Sequence, residues 1–132
     1  MKFLPDTHLL VWAAEQDNRL PVAADILLND PANDIFFSAA SIWEISIKAR
    51  LGRPDFQIDP FALARGLIQH GYIELPVTRE HALAVFQLPS LHKDPFDRLL
   101  IAQAQVEGFT LLTVDAKVAQ YPCQHPASIQ KL

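Results

Sequence analysis

Four acidic residues lie where carboxylates could bind a metal ion. Asp6 ends the apolar segment KFLPD, and Asp115 ends the strand-like segment FTLLTVD. Glu44 lies in SIWEISIK, where nearly every neighbour is apolar. Asp97, in DPFDRLLIAQA, shares the apolar stripe of its predicted helix with Leu100. Because an unpaired buried charge is costly, acids in such surroundings need hydrogen bonds, a cation or a metal.

Three of these acids, taken singly, also have a simple structural explanation. Asp6 and Asp115 are each placed to cap the helix that follows them. Glu44 is placed to form a capping box with Ser41, or an ion pair with Lys48 one turn later. The residues alone leave these alternatives open.

The predicted helix after His92 begins with two aspartates that lie on different faces. Asp94 fits the N-cap, Pro95 fits the first helical position, and Arg98 follows Asp94 by one turn. Asp97 falls in the first turn, where a carboxylate complements the helix dipole, yet it faces the apolar stripe. We therefore interpret Asp94 as the cap, placed to pair with Arg98, and Asp97 as a candidate for chemistry.

The elements that would position these acids alternate between strands and helices. KFLPD, DIFFS, YIELPV and FTLLTVD are strand-like, ASIQKL is a candidate edge strand, and segments with helical periodicity lie between them. This alternation predicts an α/β fold with a central parallel sheet of four to five strands and helices on both faces. Pro5 cannot donate a hydrogen bond to a sheet, so we expect it to shorten the first strand.

Such a fold would bring the acids together. Ligands of parallel sheets bind at the carboxyl ends of the strands, and Asp6, Glu44 and Asp115 fall at those ends or one turn beyond. Asp97 points inward from the helix that precedes the last of these strands. Converging carboxylates repel one another unless a cation compensates them, and Mg²⁺ prefers oxygen ligands. One or two such ions can activate a water and stabilise charge on a phosphodiester.

Composition narrows the classes of function. The chain has 132 residues, half of them hydrophobic, which predicts one domain over residues 1–132. The net charge of -4 argues against a broad basic surface that holds nucleic acid by charge alone. With four glycines there is no GxGxxG or P-loop motif, and one cysteine allows no internal disulfide. We find no signal peptide and no apolar run long enough for a membrane span, so we expect a cytoplasmic protein.

Four segments resemble the PIN-domain ribonucleases, most closely the VapC-type toxins of bacterial toxin-antitoxin pairs. They are FLPDTHLLVWA, FFSAASIWEISIKARLG, HKDPFDRLLIAQA and LLTVD, in this order, and the resemblance covers nearly the whole chain. It implies a three-layer α/β/α sandwich, PIN-like, and Mg²⁺- or Mn²⁺-dependent endonuclease cleavage of RNA. It also implies a cognate antitoxin protein as partner, and we expect a homodimer.

The resemblance places the four acids of the family on Asp6, Glu44, Asp97 and Asp115. Of these, Asp6, Asp97 and Asp115 are expected to hold the metal chiefly, while Glu44 completes or orients the ligand set. The chain departs from the family pattern at Pro5, where related chains usually carry an aliphatic residue.

Polar residues beside the acids are expected to support the site or the scaffold. Thr7 and Thr113 are candidates to hold a ligand carboxylate or a water. His8, His81 and His92 have no partners at metal-ligand spacing, so we expect ordinary surface histidines.

Aromatic and basic residues have weaker functional signals. We expect Trp12 and Trp43 to be anchors of the core or of an interface. Four basic residues are candidates for contacts with the RNA backbone: Lys48, Arg50, Arg53 and Arg98. Lys48 and Arg50 also complement a helix C-terminus, and Arg98 can pair with Asp94 instead.

Two other classes of function compete with the nuclease. A catalytically inactive PIN-like binding or regulatory module would keep the fold, and Asp97→Asn would leave its activity unchanged. A phosphoacceptor domain of the response-regulator kind is also small, α/β and acidic. That domain needs an adjacent acid pair after the first strand, whereas Asp6 is followed by Thr7.

Overall fold

A computed structural model of the chain describes residues 1–124 and 126–132, with five strands and seven helices in these ranges. The strands are β1 (Lys2–Pro5), β2 (Asp34–Ser38), β3 (Ile73–Leu75), β4 (Thr110–Thr113) and β5 (Ser128–Lys131). The helices are α1 (Thr7–Ala14), α2 (Val22–Asn29), α3 (Ala39–Arg50), α4 (Pro60–Gln69), α5 (Arg79–Phe86), α6 (Pro95–Glu107) and α7 (Ala116–Ala119). Within the described ranges, none of these helices combines the length and the apolar character that a membrane crossing requires.

The five strands form a parallel sheet in the order β3-β2-β1-β4-β5. This confirms the predicted central parallel sheet, and the segment ASIQKL does supply its edge strand, β5. The chain leaves β1 toward β2 on one side and later returns to pair β4 on the other side. The strand order therefore reverses between β1 and β4, which is where parallel sheets bind ligands.

Alternating side chains of the central strands build two hydrophobic cores. Phe3 and Leu112 face the core that includes residues of α1, α2 and α4, whereas Leu4 and Leu111 face the core that includes residues of α6 and α7. All four side chains are at most 2% exposed. Burying a side chain of this size stabilises the fold by about 1.5–3 kcal/mol. Each face of the sheet is thus covered by helices, which gives the predicted three-layer sandwich.

Pro5 limits the pairing of β1 on one side only. The register with β2 covers Lys2 and Phe3, while the register with β4 continues to Pro5. Proline lacks the backbone N–H that further pairing would use, so the predicted shortening is confirmed on the β2 side. The N–H of Asp6 then donates to the carbonyl of Leu112 at 2.8 Å. This bond holds the backbone of Asp6 at the end of the strand.

Helix α6 has fixed signals at both ends. The carboxylate of Asp94 accepts the N–H groups of Phe96 and Asp97 at 2.8 and 3.2 Å, which confirms the predicted cap. Gly108 ends the helix at φ 75°, and a Cβ there would lie 2.8 Å from Pro126 Cγ. Both the backbone angle and the close approach favour glycine. The position of Asp97 along the sheet edge is therefore well defined.

Candidate functional site

The four predicted acids lie at the carboxyl edge of the sheet. Asp6 follows β1 directly, and Asp115 lies two residues after the end of β4. Helix α3 begins directly after β2 and carries Glu44 in its second turn, while Asp97 lies in the first turn of α6. A histidine that the sequence interpretation did not assign to the site, His92, lies among them. We call these five residues the acidic site.

Asp6 forms the buried floor of the acidic site and is 3% exposed. Its Oδ1 accepts the N–H of Leu9 at 2.9 Å, so the predicted helix cap is confirmed. Its Oδ2 accepts the hydroxyl of Thr113 at 2.7 Å, and the oxygen of that hydroxyl accepts the N–H of Asp115 at 3.0 Å. Thr113 therefore holds a site carboxylate, as predicted, and joins the ends of β1 and β4.

His92 lies between the carboxylates of Asp97 and Asp115. Its Nε2 is 2.7 Å from Asp97 Oδ2 and 3.7 Å from Asp115 Oδ2. Among the described residues, these three form the group whose potential metal-binding atoms all lie within 4.8 Å of one another. The other oxygen of Asp115 accepts the N–H of Lys117 at 2.7 Å, so that acid also caps α7 as predicted. The expectation of an ordinary surface histidine is wrong for His92.

Glu44 has one paired and one unpaired carboxylate oxygen. Oε2 is 2.9 Å from Lys48 Nζ, which confirms the predicted ion pair. Oε1 is buried and receives no hydrogen bond from the described part of the chain. The alternative capping box with Ser41 does not form, because α3 begins earlier, with Ser38 as its cap. The hydroxyl of Ser41 instead accepts that of Thr7 at 2.9 Å.

The carboxylates of the site favour the binding of a cation, because burial raises the pKa of two of them. Burial raises the pKa of Asp6 above its usual value, and the hydrogen bonds to its carboxylate oppose the shift only in part. Burial also raises the pKa of Asp97, and the negative charges of Asp94 and Glu44 add to this, while the hydrogen bond from His92 opposes it. A divalent cation would favour the ionised carboxylates. Together with the unpaired Glu44 oxygen, this donor set fits a hard cation.

Arg98 fixes the connection that leads into α6. Its Nη1 donates to the carbonyl of Pro89 at 2.9 Å and to the hydroxyl of Tyr121 at 3.0 Å, and its Nη2 donates to the carbonyl of Val85 at 3.2 Å. The predicted pairing of Arg98 with Asp94 is wrong. The guanidinium satisfies one backbone carbonyl in the last turn of α5 and one just after that helix, whereas Asp94 is already engaged by backbone N–H groups.

The environments of two further residues bear on their predictions, and one of the predictions is wrong. His81 is fully buried rather than at the surface, because its Nδ1 accepts the N–H of Thr78 and its Nε2 lies 2.8 Å from Glu107 Oε2. Trp43 is 63% exposed, which excludes the core and leaves the other predicted role, an anchor of an interface. It packs edge-on against Phe96, with 5.3 Å between the ring centroids. An aromatic pair of one exposed and one partly buried ring therefore lies next in sequence to Glu44 and Asp97.

Comparisons with known proteins give a family and a relative. The family model described as the PIN domain matches residues 3–122. Ribonuclease VapC22 from Mycobacterium tuberculosis is 27% identical to this chain over 127 residues, which are 96% of each protein. The match to the family therefore spans all four predicted acids.

Three solved structures resemble the fold. VapBC2 from Rickettsia felis, bound to a DNA fragment from the promoter, matches with a TM-score of 0.71 at 15% identity and covers 100% of this chain and 99% of that chain. A domain of a functionally unknown protein from Methanocaldococcus jannaschii matches with a TM-score of 0.57 at 16% identity over 99% and 90% of the two chains. FitAcB from Neisseria gonorrhoeae also reaches 0.57, at 19% identity over 88% and 89%. At these identities the likeness concerns the fold.

Proposed function

Because this chain belongs to the PIN domain family, we propose that the acidic site is the active centre of a metal-dependent endoribonuclease. The observation that carries the proposal is the convergence of Asp97, Asp115 and His92 above the buried Asp6, beside an unpaired oxygen of Glu44. The similarity to Ribonuclease VapC22 over nearly the whole length supports RNA as the substrate. The protein then acts in the cytoplasm as the toxin of a toxin-antitoxin pair.

In this proposal, the partly exposed carboxylates of Asp97 and Asp115 would hold Mg²⁺ or Mn²⁺, and Asp6 and Glu44 would complete the negative charge. When bound, the cation supplies a Lewis acid that activates water and neutralises charge on the phosphodiester. The hydroxyl of Thr113 keeps Asp6 oriented and ties it to the backbone of Asp115. Lys48 holds one oxygen of Glu44, which leaves the other oxygen for the site.

The rim of the site offers contacts for a single-stranded substrate. Trp43 and Phe96 present an aromatic surface beside Glu44 and Asp97, and stacking of one base on such a ring contributes about 1–3 kcal/mol. Lys48 is 42% exposed and lies at the same edge, where it can meet a backbone phosphate. These two features compensate for the absence of net positive charge on the chain.

The antitoxin would bind away from the sheet edge. A cleft of about 750 Å³ lies among residues of α1, α2 and α4, with Val22 and Leu63 among its apolar residues. The carboxylates of Glu15, Asp25 and Asp59 also line it, and no lysine or arginine of the described residues does. An amphipathic antitoxin segment with basic residues at its edges would complement this lining.

Self-association would use a different apolar surface. Leu83 and Phe86 of α5 are 64% and 91% exposed. Large apolar side chains exposed together are typical of an interaction surface. We expect the homodimer to bury them. Phe86→Ser would then shift the molar mass in solution from dimer to monomer without loss of helical content.

RNA cleavage by three proteins tests the nuclease. Wild type, Asp97→Asn and Asp94→Asn would be incubated with total RNA in Mg²⁺, in Mn²⁺ and in EDTA. We expect metal-dependent cleavage by wild type and a loss of at least ~10²-fold in Asp97→Asn, since a bound metal stabilises the transition state by several kcal/mol. Asp94→Asn is the matched control, because asparagine caps a helix as well as aspartate does.

The same experiment separates the enzyme from an inactive binding module. Cleavage that persists in EDTA, or equal cleavage by wild type and Asp97→Asn, would contradict the proposed site. Binding of RNA by all three folded proteins without cleavage in either metal would support the binding module instead.

A further inference from the structure

We infer that His92 is a nitrogen ligand of the divalent cation and that the site therefore prefers Mn²⁺ and other first-row transition ions to Mg²⁺. This inference rests on the proposed function, because it concerns the same metal site. It adds a ligand outside the four acids and a consequence for metal choice.

The distances suit a shared ion. Adjacent ligands of an octahedral cation with bonds of ~2.1 Å lie about 3.0 Å apart. The Nε2 of His92 is 2.7 Å from Asp97 Oδ2 and 3.7 Å from Asp115 Oδ2, so the two separations bracket that value. Small side-chain movements would bring all three atoms around one ion. The neutral ring would then carry its hydrogen on Nδ1 and direct the Nε2 lone pair at the metal.

The backbone of His92 is held independently of the carboxylates. Its N–H donates to the hydroxyl of Tyr121 at 2.8 Å, and that hydroxyl also accepts Nη1 of Arg98 at 3.0 Å. Tyr121 is 4% exposed, so this anchor is part of the folded interior. The scaffold therefore holds the backbone of His92 beside the site through contacts that do not involve Asp97.

The unpaired oxygen of Glu44 points to a bound cation independently of the histidine. The side chain of Glu44 is 8% exposed and its Oε1 is buried without a partner among the described residues. The carboxylate of Asp97 belongs to the same site. A cation between them relieves both, whereas the single hydrogen bond that His92 gives to Asp97 leaves Oε1 unsatisfied.

Nitrogen ligation has a consequence for selectivity. An all-oxygen site suits Mg²⁺, while an imidazole nitrogen favours first-row transition ions in the Irving–Williams order. The wild-type protein should therefore bind Mn²⁺ more tightly than Mg²⁺. Replacing His92 by asparagine should weaken Mn²⁺ binding by about tenfold or more, the range by which loss of a supporting group at a metal site commonly lowers affinity, and should weaken Mg²⁺ binding less.

Electron spin-echo spectroscopy of the bound Mn²⁺ tests the inference without any assay of activity. The wild-type complex should show nitrogen hyperfine coupling, which His92→Asn should lose. His8→Asn is the matched control, because His8 neighbours the site in sequence but its ring packs beside Trp12. That variant should keep both the coupling and the ratio of Mg²⁺ to Mn²⁺ dissociation constants measured by calorimetry.

The outcomes separate the two claims. If Mn²⁺ binds to wild type, is lost in Asp97→Asn, and shows no nitrogen coupling, the role of His92 is overturned and the metal site stands. If coupling is present but survives in His92→Asn, the ligand is another histidine and the inference also fails. If wild type binds neither ion, or binds both as tightly as Asp97→Asn does, the proposed metal centre fails together with the inference.

Discussion

Replacing Thr113 by valine should weaken both the fold and the metal site. The hydroxyl of Thr113 is buried, donates to Asp6 Oδ2 at 2.7 Å and accepts the N–H of Asp115 at 3.0 Å. Valine has nearly the same shape but neither interaction. A hydrogen bond to a charged group contributes about 1.5–3 kcal/mol, and an unsatisfied N–H adds to the loss. We therefore expect the free energy of unfolding to fall by about 2–4 kcal/mol.

The same substitution should lower metal affinity more than stability alone explains. Without the hydroxyl, Asp6 loses the strongest contact that orients its Oδ2, and Asp115 loses the bond that fixes its backbone. Loss of a group that orients metal ligands typically costs 10–100-fold in affinity. Calorimetric titration with Mn²⁺ would measure this loss, and urea denaturation followed by circular dichroism would measure stability.

Thr110→Val is the matched control for this prediction. Thr110 lies on the same strand, is 7% exposed, and its hydroxyl pairs with that of Ser128 at 2.8 Å, away from the acidic site. It should lose about 0.5–1.5 kcal/mol of stability and keep its metal affinity. Thr113→Ser should restore most of both quantities. Equal metal affinities in Thr113→Val and Thr110→Val would refute the reasoning.

Three further perturbations test other parts of the structure. Because burial raises the pKa of Asp6 and Asp97, their contribution to stability is present below the usual carboxyl pKa and is lost as pH rises through the folded-state pKa. A divalent metal ion stabilises the ionised carboxylates, so it should raise the melting temperature more at neutral than at mildly acidic pH. An equal rise at both pH values would contradict the raised pKa values of Asp6 and Asp97. Arg98→Lys should lose about 2–3 kcal/mol in urea denaturation, because an ammonium cannot reach two carbonyls and a phenol together. Unchanged stability would contradict this. Burial raises the pKa of Tyr72 to about 12, so the wild-type protein should lose stability as pH rises from 10.0 toward that value. Tyr72→Phe should lose less stability over the same range. If both proteins lose stability in parallel, Tyr72 is not the cause.

The periodic features of the sequence predicted the sheet and its edge. Alternating strand-like and helical segments gave the parallel sheet, and the placement of acids at strand ends gave the location of Asp6 and Asp115. The cap prediction for Asp94 was also confirmed, because capping depends on local spacing alone. Features that follow from local spacing could therefore be predicted from the sequence.

Contacts between residues far apart in the chain could not be predicted from local spacing. His92 lies in a connection with no periodicity, and its place in the site depends on Tyr121, which is 29 residues away in the chain. Arg98 had an obvious partner one turn away, but carbonyls at the end of α5 and just after it compete better for its donors. The one local signal for His92 was its position two residues before the cap Asp94. Spacing alone does not distinguish that position from an ordinary loop.

The central claim is that the acidic site hydrolyses RNA with water and a divalent metal. The most direct test is the chemistry of the fragment ends produced by purified wild type in Mn²⁺, with Asp97→Asn as the control for contaminating nucleases. Attack by water predicts fragments with a phosphate monoester at one new end and a hydroxyl at the other, formed only with metal and absent from the Asp97→Asn reaction. Fragments that end in a 2′,3′-cyclic phosphate would show that the substrate's own 2′-hydroxyl is the nucleophile and would contradict hydrolysis by water. Fragments that still form in EDTA would show that no divalent metal is needed and would contradict the roles of Asp97 and Asp115 as metal ligands.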